Sequence, residues 1–425
     1  MKTQPDILIL GGGVAGLWTC ARMAALGFNV LCLDTGPLGG TQSIGAQGII
    51  HGGMKYALTG EASRAANAIA LMPPIWSACL SGNGELDLSS VPICSDHTLL
   101  WTTAGLLSRV AAFAAKNVLR TRVDAIPANQ RSAPFAGVPR IDVYRVNEPV
   151  LDVAAVLQRL LNLCRGRVLH VAPESLRIER LPTGCRITIA APDNPDSPGG
   201  PIQITPRLCI ALAGPGNHNI ATAVGAAGIR MQLRPLHMVM IRSPDAAGDE
   251  KNLPGIYGHC LAASNLPRLT ITTSTDAQGR PIWYLGGQIA EAGVPRPPER
   301  QIAEAKKEVD ACLPWLGIGS RPDLRWSTVR WDRAEGFMPD GSRPDEPVLL
   351  SDPATPGVLF GWPTKLAFAP KIAELAITAA DAVNILPATA SIPQLQPLPM
   401  PSALAELAAP TIAHTPWNSP AVRWQ

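Results

Sequence analysis

The stretch that decides the fold is residues 6–34, DILILGGGVAGLWTCARMAALGFNVLCLD. Residues 6–10 are a short, mostly apolar run, as expected of a parallel strand buried on both faces. Gly11, Gly13 and Gly16 follow in GxGxxG spacing. A helical pattern then runs through Leu26, Gly27 ends it, and residues 29–33 form a second buried strand leading to Asp34. Gly11 permits the tight turn, Gly13 lets backbone approach a pyrophosphate, and Gly16 lets the helix pack on the strand, with the positive end of the helix dipole facing the phosphates. Asp34 stands 18 residues after Gly16, where a carboxylate accepts hydrogen bonds from ribose hydroxyls. A lone GxGxxG is weak evidence, but set between these elements it specifies a dinucleotide site. The acid disfavours a 2′-phosphate, which sets NADP aside and keeps NAD and FAD.

The chain's totals agree with an enzyme. Its 425 residues suggest two domains, or one with a large insertion. Hydrophobic residues make up 46% and charged residues 16%, which supports a sizeable core and excludes disorder. Net charge is +3 without any basic tract, so nucleic acid is not expected as a partner. The nine cysteines form no CxxC and no zinc-ligand spacing, and they read as reduced thiols in a cytoplasmic protein with no metal site. The N-terminal apolar run has a glycine cluster in place of a signal-peptide pattern. No apolar window reaches 18 residues, so no membrane-spanning helix is expected, and attachment to a membrane surface stays open.

After Asp34 the chain leaves the βαβ unit through TGPLGGTQSIGAQGIIHGGMKYAL, residues 35–58, a small-residue loop around His51. A plain NAD dehydrogenase would continue with alternating strands and helices. The βαβ unit, this loop and a C-terminal segment resemble the D-amino-acid-oxidase-like superfamily of FAD-dependent oxidoreductases. GIIHGGMKY in particular is similar to the IHGGxxY segment of glycerol-3-phosphate dehydrogenases and the corresponding segment of 2-hydroxyglutarate dehydrogenases. The resemblance implies FAD as cofactor, with Gly11, Gly13, Val14, Ala15, Gly16, Asp34 and Thr35 around its nucleotide part and Ser43, Gln47, Gly48, His51 and Gly52 along the flavin. Independently of the family, glycines let backbone approach a flat ring and offer it N–H donors. His51 reads as a flavin neighbour and candidate proton acceptor, against the ordinary alternative of a hydrogen-bonded core histidine.

Further along, residues 59–72, 104–117 and 151–164 have helical composition, the last with Pro149 and Asp152 as a start signal. A strand residue near Leu176 corresponds in the family to one that contacts adenine through its backbone. Residues 208–213 form a buried strand running into Ala213-Gly214, which resembles the family's re-entry strand beside the glycine loop. Between 231 and 330, β-branched and alternating runs predict antiparallel strands, and residues 298–316 one amphipathic helix. In the C-terminal element, Gly336 and Pro339 match a Gly-x-x-Pro turn. Gly361, Trp362, Thr364, Lys365 and Leu366 match a flavin loop before a last helix at about 370–383. Lys365 is either a surface lysine or a cation at the flavin's N1–C2 edge. Arg333 is the candidate anchor for an anionic substrate group, against an ion pair with Asp332 or Glu335. Arg330, three residues away, would point to the opposite face of one strand.

The expected architecture is α/β. A Rossmann-like FAD-binding domain, discontinuous in sequence (1–75, 145–230 and 335–385), carries a mostly antiparallel substrate domain (76–144 and 231–334). A proline-rich tail (386–425) packs across its own domain or a second subunit. The expected function is hydride transfer to flavin N5 from a small anionic hydroxy acid or alcohol. An amine or amino-acid oxidase of the same superfamily and a flavin-binding subunit of a larger complex are the alternatives. The electron acceptor (oxygen, quinone or carrier protein) is left open.

Overall fold

A computed structural model describes residues 2–53, 68–103, 123–190, 200–245, 252–261, 267–387, 407 and 409–425. The expected helix at 104–117 and most of the one at 59–72 lie outside them, as do Lys55 and Tyr56 of the loop.

The first strand, Ile7–Leu10, is buried along its whole length. Its alternate side chains serve two different cores. Ile7 and Ile9 pack with the helices Val14–Leu26, Val153–Cys164 and Ala369–Ala382. Leu8 and Leu10 pack on the other face, with Ile187, Ile204 and the helix Asn217–Val224. Pleating sends successive residues to opposite faces, so a strand covered on both sides reads as an unbroken apolar run. This strand lies inside a six-stranded sheet ordered Val348–Ser351, Val358–Trp362, Leu208–Ala211, Ile7–Leu10, Val30–Asp34 and Val168–His170. All its pairings are parallel except the edge pair of Val348–Ser351 with Val358–Trp362. A small sheet of Lys2–Thr3, Ile202–Ile204, Cys185–Ile189 and Leu176–Arg180 covers one face.

The second layer is an eight-stranded sheet, antiparallel except where Gly258–Cys260 runs parallel to Thr98–Trp101. Its spine is a ribbon pairing Met231–Arg242 with Arg325–Gly336 over their full lengths. The helix Pro298–Cys312 buries Ile302, Ala305 and Val309 against Val239, Ile241 and Trp283 on one face. Met238, Met240 and Tyr284 point to the other face, toward the glycine-loop half of the molecule.

Two elements straddle the expected domain boundaries. The helix Met72–Leu80 belongs with the parallel sheet: the Trp76 ring sits 4.6 Å from that of Trp18, and its Nε1–H donates to Ala367 O at 2.9 Å. The strand Val143–Val146 joins the eight-stranded sheet. The tail crosses its own chain. Ile412 bridges to Leu38 beside the glycine loop, Trp417 packs edge-on against Tyr284, and Gln425 exchanges two backbone hydrogen bonds with Trp326. Among the described residues no helix is long and apolar enough to cross a membrane.

Candidate active site

The glycine loop is shaped by contacts only glycine allows. Gly11 has φ +113°, and a Cβ there would lie 2.5 Å from Leu212 O. A Cβ on Gly16 would lie 1.8 Å from Gly11 O, so this residue sets the approach of the helix to the turn. On Gly13 it would meet only Ser43 Oγ, at 3.1 Å, and Gly13 lines the cavity. Asp34 at the end of the second strand accepts from the backbone N–H groups of Gly12 and Gly36, while Ser43 Oγ accepts from Val14 N at 3.0 Å. The re-entry strand delivers Ala213 and Gly214 next to this loop, where Asn217, fully buried, accepts from Ala213 N and donates to Gly361 O.

From this cradle a cavity of about 1160 Å³ extends under the eight-stranded sheet. That exceeds the usual range for single small-molecule pockets, about 300–1,000 Å³, and suits a dinucleotide with a substrate beside it. Of the sequence-predicted residues, Gly11, Gly13, Val14, Ala15, Asp34, Thr35, Ser43, Gln47, Gly48, His51, Leu176, Ala213, Gly214, Arg333, Trp362, Thr364, Lys365 and Leu366 line it. Four do not, and each has another task. Gly16 packs on Gly11, Gly52 N donates to Glu148, Gly336 faces Val348, and Gly361 packs against Leu212. The Gln47 side chain reaches from the cavity wall to the large sheet, donating to Tyr284 O at 2.9 Å and Thr270 O at 3.4 Å. Thr364 holds φ +61°, a strained value for a residue with a Cβ, on the cavity wall beside Lys365.

The small-residue loop that carries Gly45 is locked to the large sheet. Tyr284 Oη donates to Gly45 O at 3.0 Å and accepts from Trp331 Nε1 at 2.7 Å, and the Trp331 ring lies where a Gly45 Cβ would be. Burial pushes the Tyr284 phenol far above its ordinary range, so it stays a neutral donor.

Arg333 and Arg330 take opposite directions. Arg330 donates to the carbonyls of Val294 and Arg296, both at 2.6 Å, outside the cavity. Arg333 faces the cavity. Its ion-pair neighbour is Glu291, at 3.6 Å, and not Asp332 or Glu335, because Arg234 holds Glu335 in a two-bond fork at 2.7 and 3.0 Å. Nη2 of Arg333 is buried with no hydrogen-bond partner among the described residues. Burial, reinforced by the Arg234 charge, pushes Arg333 down to about 10, which leaves it charged at neutral pH.

Sequence reasoning missed Glu148 and His259. Gly48 O accepts from Leu151 N, and Ile50 N donates to Pro149 O, a short ladder that brings residues 51 and 148 face to face. His51 Nδ1 lies 3.3 Å from Glu148 Oε2, and the His51 ring stacks on His259 with centroids 5.9 Å apart. His259 Nδ1 meets Thr270 Oγ1 at 2.9 Å. Burial and then the charge of His51 push His259 down to about 4. The available signal for Glu148 was an acid set beside Asn147 between apolar residues in VNEPVL.

A parallel sheet with a glycine cradle, opening into a cavity under an antiparallel sheet, defines a dinucleotide-dependent oxidoreductase. The chain belongs to the FAD-dependent oxidoreductase (DAO) family, whose model matches residues 6–364. It is 38% identical over 410 residues to a probable FAD-dependent oxidoreductase, PA4991, of Pseudomonas aeruginosa, covering 95% of this chain and 98% of that protein. The crystal structure of PA4991 superposes with a TM-score of 0.74 at 33% identity, covering 98% of each chain. The fold is also that of glycine oxidase from Geobacillus kaustophilus, with a TM-score of 0.59 at 14% identity over 93% of this chain and 99% of that one. L-alpha-glycerophosphate oxidase from Mycoplasma pneumoniae, solved with FAD bound, gives a TM-score of 0.59 at 12% identity, covering 89% and 95%. The cofactor is FAD, and the cradle fits it: the space before Gly13 is open except for Ser43 Oγ, and Gly13 and Asp34 both line the cavity.

Proposed function

We propose that the protein oxidises a small anionic hydroxy acid or alcohol, with the six-stranded sheet holding FAD and the eight-stranded sheet walling the substrate. The observation that carries this reading is that His51 and Arg333, far apart in sequence, line one cavity with the glycine cradle. When bound, FAD supplies the acceptor for hydride. Arg333 contributes a charged, underused guanidinium suited to a carboxylate or phosphate. His51 takes the hydroxyl proton. An alcohol needs such a base because its O–H must be broken as the C–H is lost, whereas a neutral amine can use its nitrogen lone pair. Lys365 adds positive charge on the wall after the last strand, where it opposes negative charge developing on the bound ring.

The test is anaerobic titration of the yellow holoenzyme with hydroxy acids, polyol phosphates and amino acids. The reading expects bleaching near about 450 nm by members of the first two groups. Arg333→Lys, which loses the planar fork, should weaken the effective substrate about 10- to 100-fold, the worth of a charge-assisted hydrogen bond. Faster bleaching by amino acids would replace the alcohol reading with the amine one.

A further inference from the structure

His51 has a partner that the proposed chemistry does not yet use. Glu148 is buried, 2% exposed, while His51 beside it is 41% exposed and lines the cavity. An uncompensated carboxylate at that depth would be costly. Glu148 is compensated from two sides. Gly52 N–H donates to Oε1, and His51 Nδ1 stands against Oε2. Burial opposes ionisation, but the hydrogen bond and charge of His51, together with the Gly52 N–H, hold Glu148 below the usual carboxylate range. An ionised carboxylate only accepts, so the His51 nitrogen facing it carries a proton, and in the neutral ring the lone pair is therefore on Nε2, on the far side. His259, buried and stacked on His51, is tied to Thr270 and backs the ring.

We propose that Glu148 is a positioning residue that selects the Nδ1–H tautomer of His51, with His259 fixing the ring, so that Nε2 is presented as the proton acceptor. This rests on the reading of His51 as the base. In the step, the substrate O–H bond breaks and its proton forms Nε2–H, while the hydride and its electron pair go to FAD. Nδ1 keeps its own proton, and Glu148 stays an anion, now paired with an imidazolium. The same three side chains bring one ligand atom each to within 4.8 Å of one another, as a metal site would. Ligand atoms on a tetrahedral zinc, at about 2.1 Å from the ion, stand roughly 3.4 Å apart, and each histidine would have to offer the metal a lone pair. Without a cation between them, a lone pair on Nδ1 would face the Glu148 carboxylate, which the Nδ1–H tautomer avoids.

The test is Glu148→Gln in the FAD-loaded protein. Gly52 N–H holds the amide oxygen, which turns the NH₂ toward His51 and makes Nδ1 the acceptor. Two-bond ¹H–¹⁵N spectra of ¹⁵N-histidine protein, with His51 assigned by its loss in His51→Gln, read the tautomer without any substrate. The expected result is Nδ1–H in the parent and Nε2–H in E148Q. With FAD retained, the flavin-reduction rate should fall by about 10²- to 10⁴-fold. Nε2–H in the parent, or an unchanged tautomer in E148Q, overturns the proposal. So does one equivalent of divalent metal that copurifies and shifts the His51 signals when chelated away. An unchanged reduction rate in His51→Ala would remove the base reading alone, leaving the tautomer result to judge Glu148.

Discussion

Gly16→Ala separates packing from ligand contact at the glycine loop. The new Cβ would stand 1.8 Å from Gly11 O, and an ordinary contact begins near 3.4 Å, so the helix Val14–Leu26 and the turn must part by about 1.6 Å. Neither side yields easily, because both atoms belong to backbone packed in the core. The cost should be about 3 kcal/mol, the upper end of what overpacking brings. The displacement also spoils the cradle at the helix N-terminus, so the protein should purify without flavin. Gly13→Ala is the control. Its backbone, φ −76° and ψ 179°, suits alanine, and the only near atom is Ser43 Oγ at 3.1 Å. That variant should keep the melting temperature of the apoprotein and still lose FAD, since its methyl enters the space of the pyrophosphate. The assay is thermal unfolding of the apoproteins with the 450/280 nm absorbance ratio of each preparation. A Gly16→Ala protein as stable and as yellow as the parent would refute the packing argument.

Two further outcomes follow from the polar contacts. Tyr284→Phe leaves Trp331 Nε1–H and Gly45 O without their partner; at the low end of about 1–3 kcal/mol per orphaned group, urea unfolding should show a loss of about 2 kcal/mol. In a cycle with Trp331→Phe the double variant should lose less than the sum of the singles by at least about 0.5 kcal/mol, and strict additivity would count against the clamp. His259, pushed down from 6.5 to about 4, lets the unfolded chain take up its proton first as pH falls. Stability tied to it is therefore whole above about pH 6.5, falls as pH drops toward about 4, and amounts to roughly 3 kcal/mol at most. His259→Gln should flatten the stability profile across that window, and an unchanged slope would sink the assignment.

What the sequence determined by itself is local or repeated along the chain. Strands covered on both faces must be apolar throughout, the tight turn at Gly11 and the helix contact at Gly16 exclude every side chain, and Gly13 keeps the approach to a pyrophosphate open, so the dinucleotide-binding unit could be read from residues 6–34 alone. The strand running into Ala213 and Gly214 was legible through its apolar run and its resemblance to the family's re-entry strand. The tertiary structure alone decided which distant polar groups meet. Glu148 reaches His51 because a short ladder at residues 48–50 and 149–151 sets their register, and His259 arrives on a strand inserted parallel to Thr98–Trp101. Arg333 is left for the cavity because Arg234, its cross-strand neighbour, takes Glu335. The Gln47 amide is tied to the large sheet because Tyr284 O and Thr270 O are brought beside it. These are pairings across sheets and loops. A change of register by one residue would send each side chain to the other face without altering the composition or periodicity of either segment.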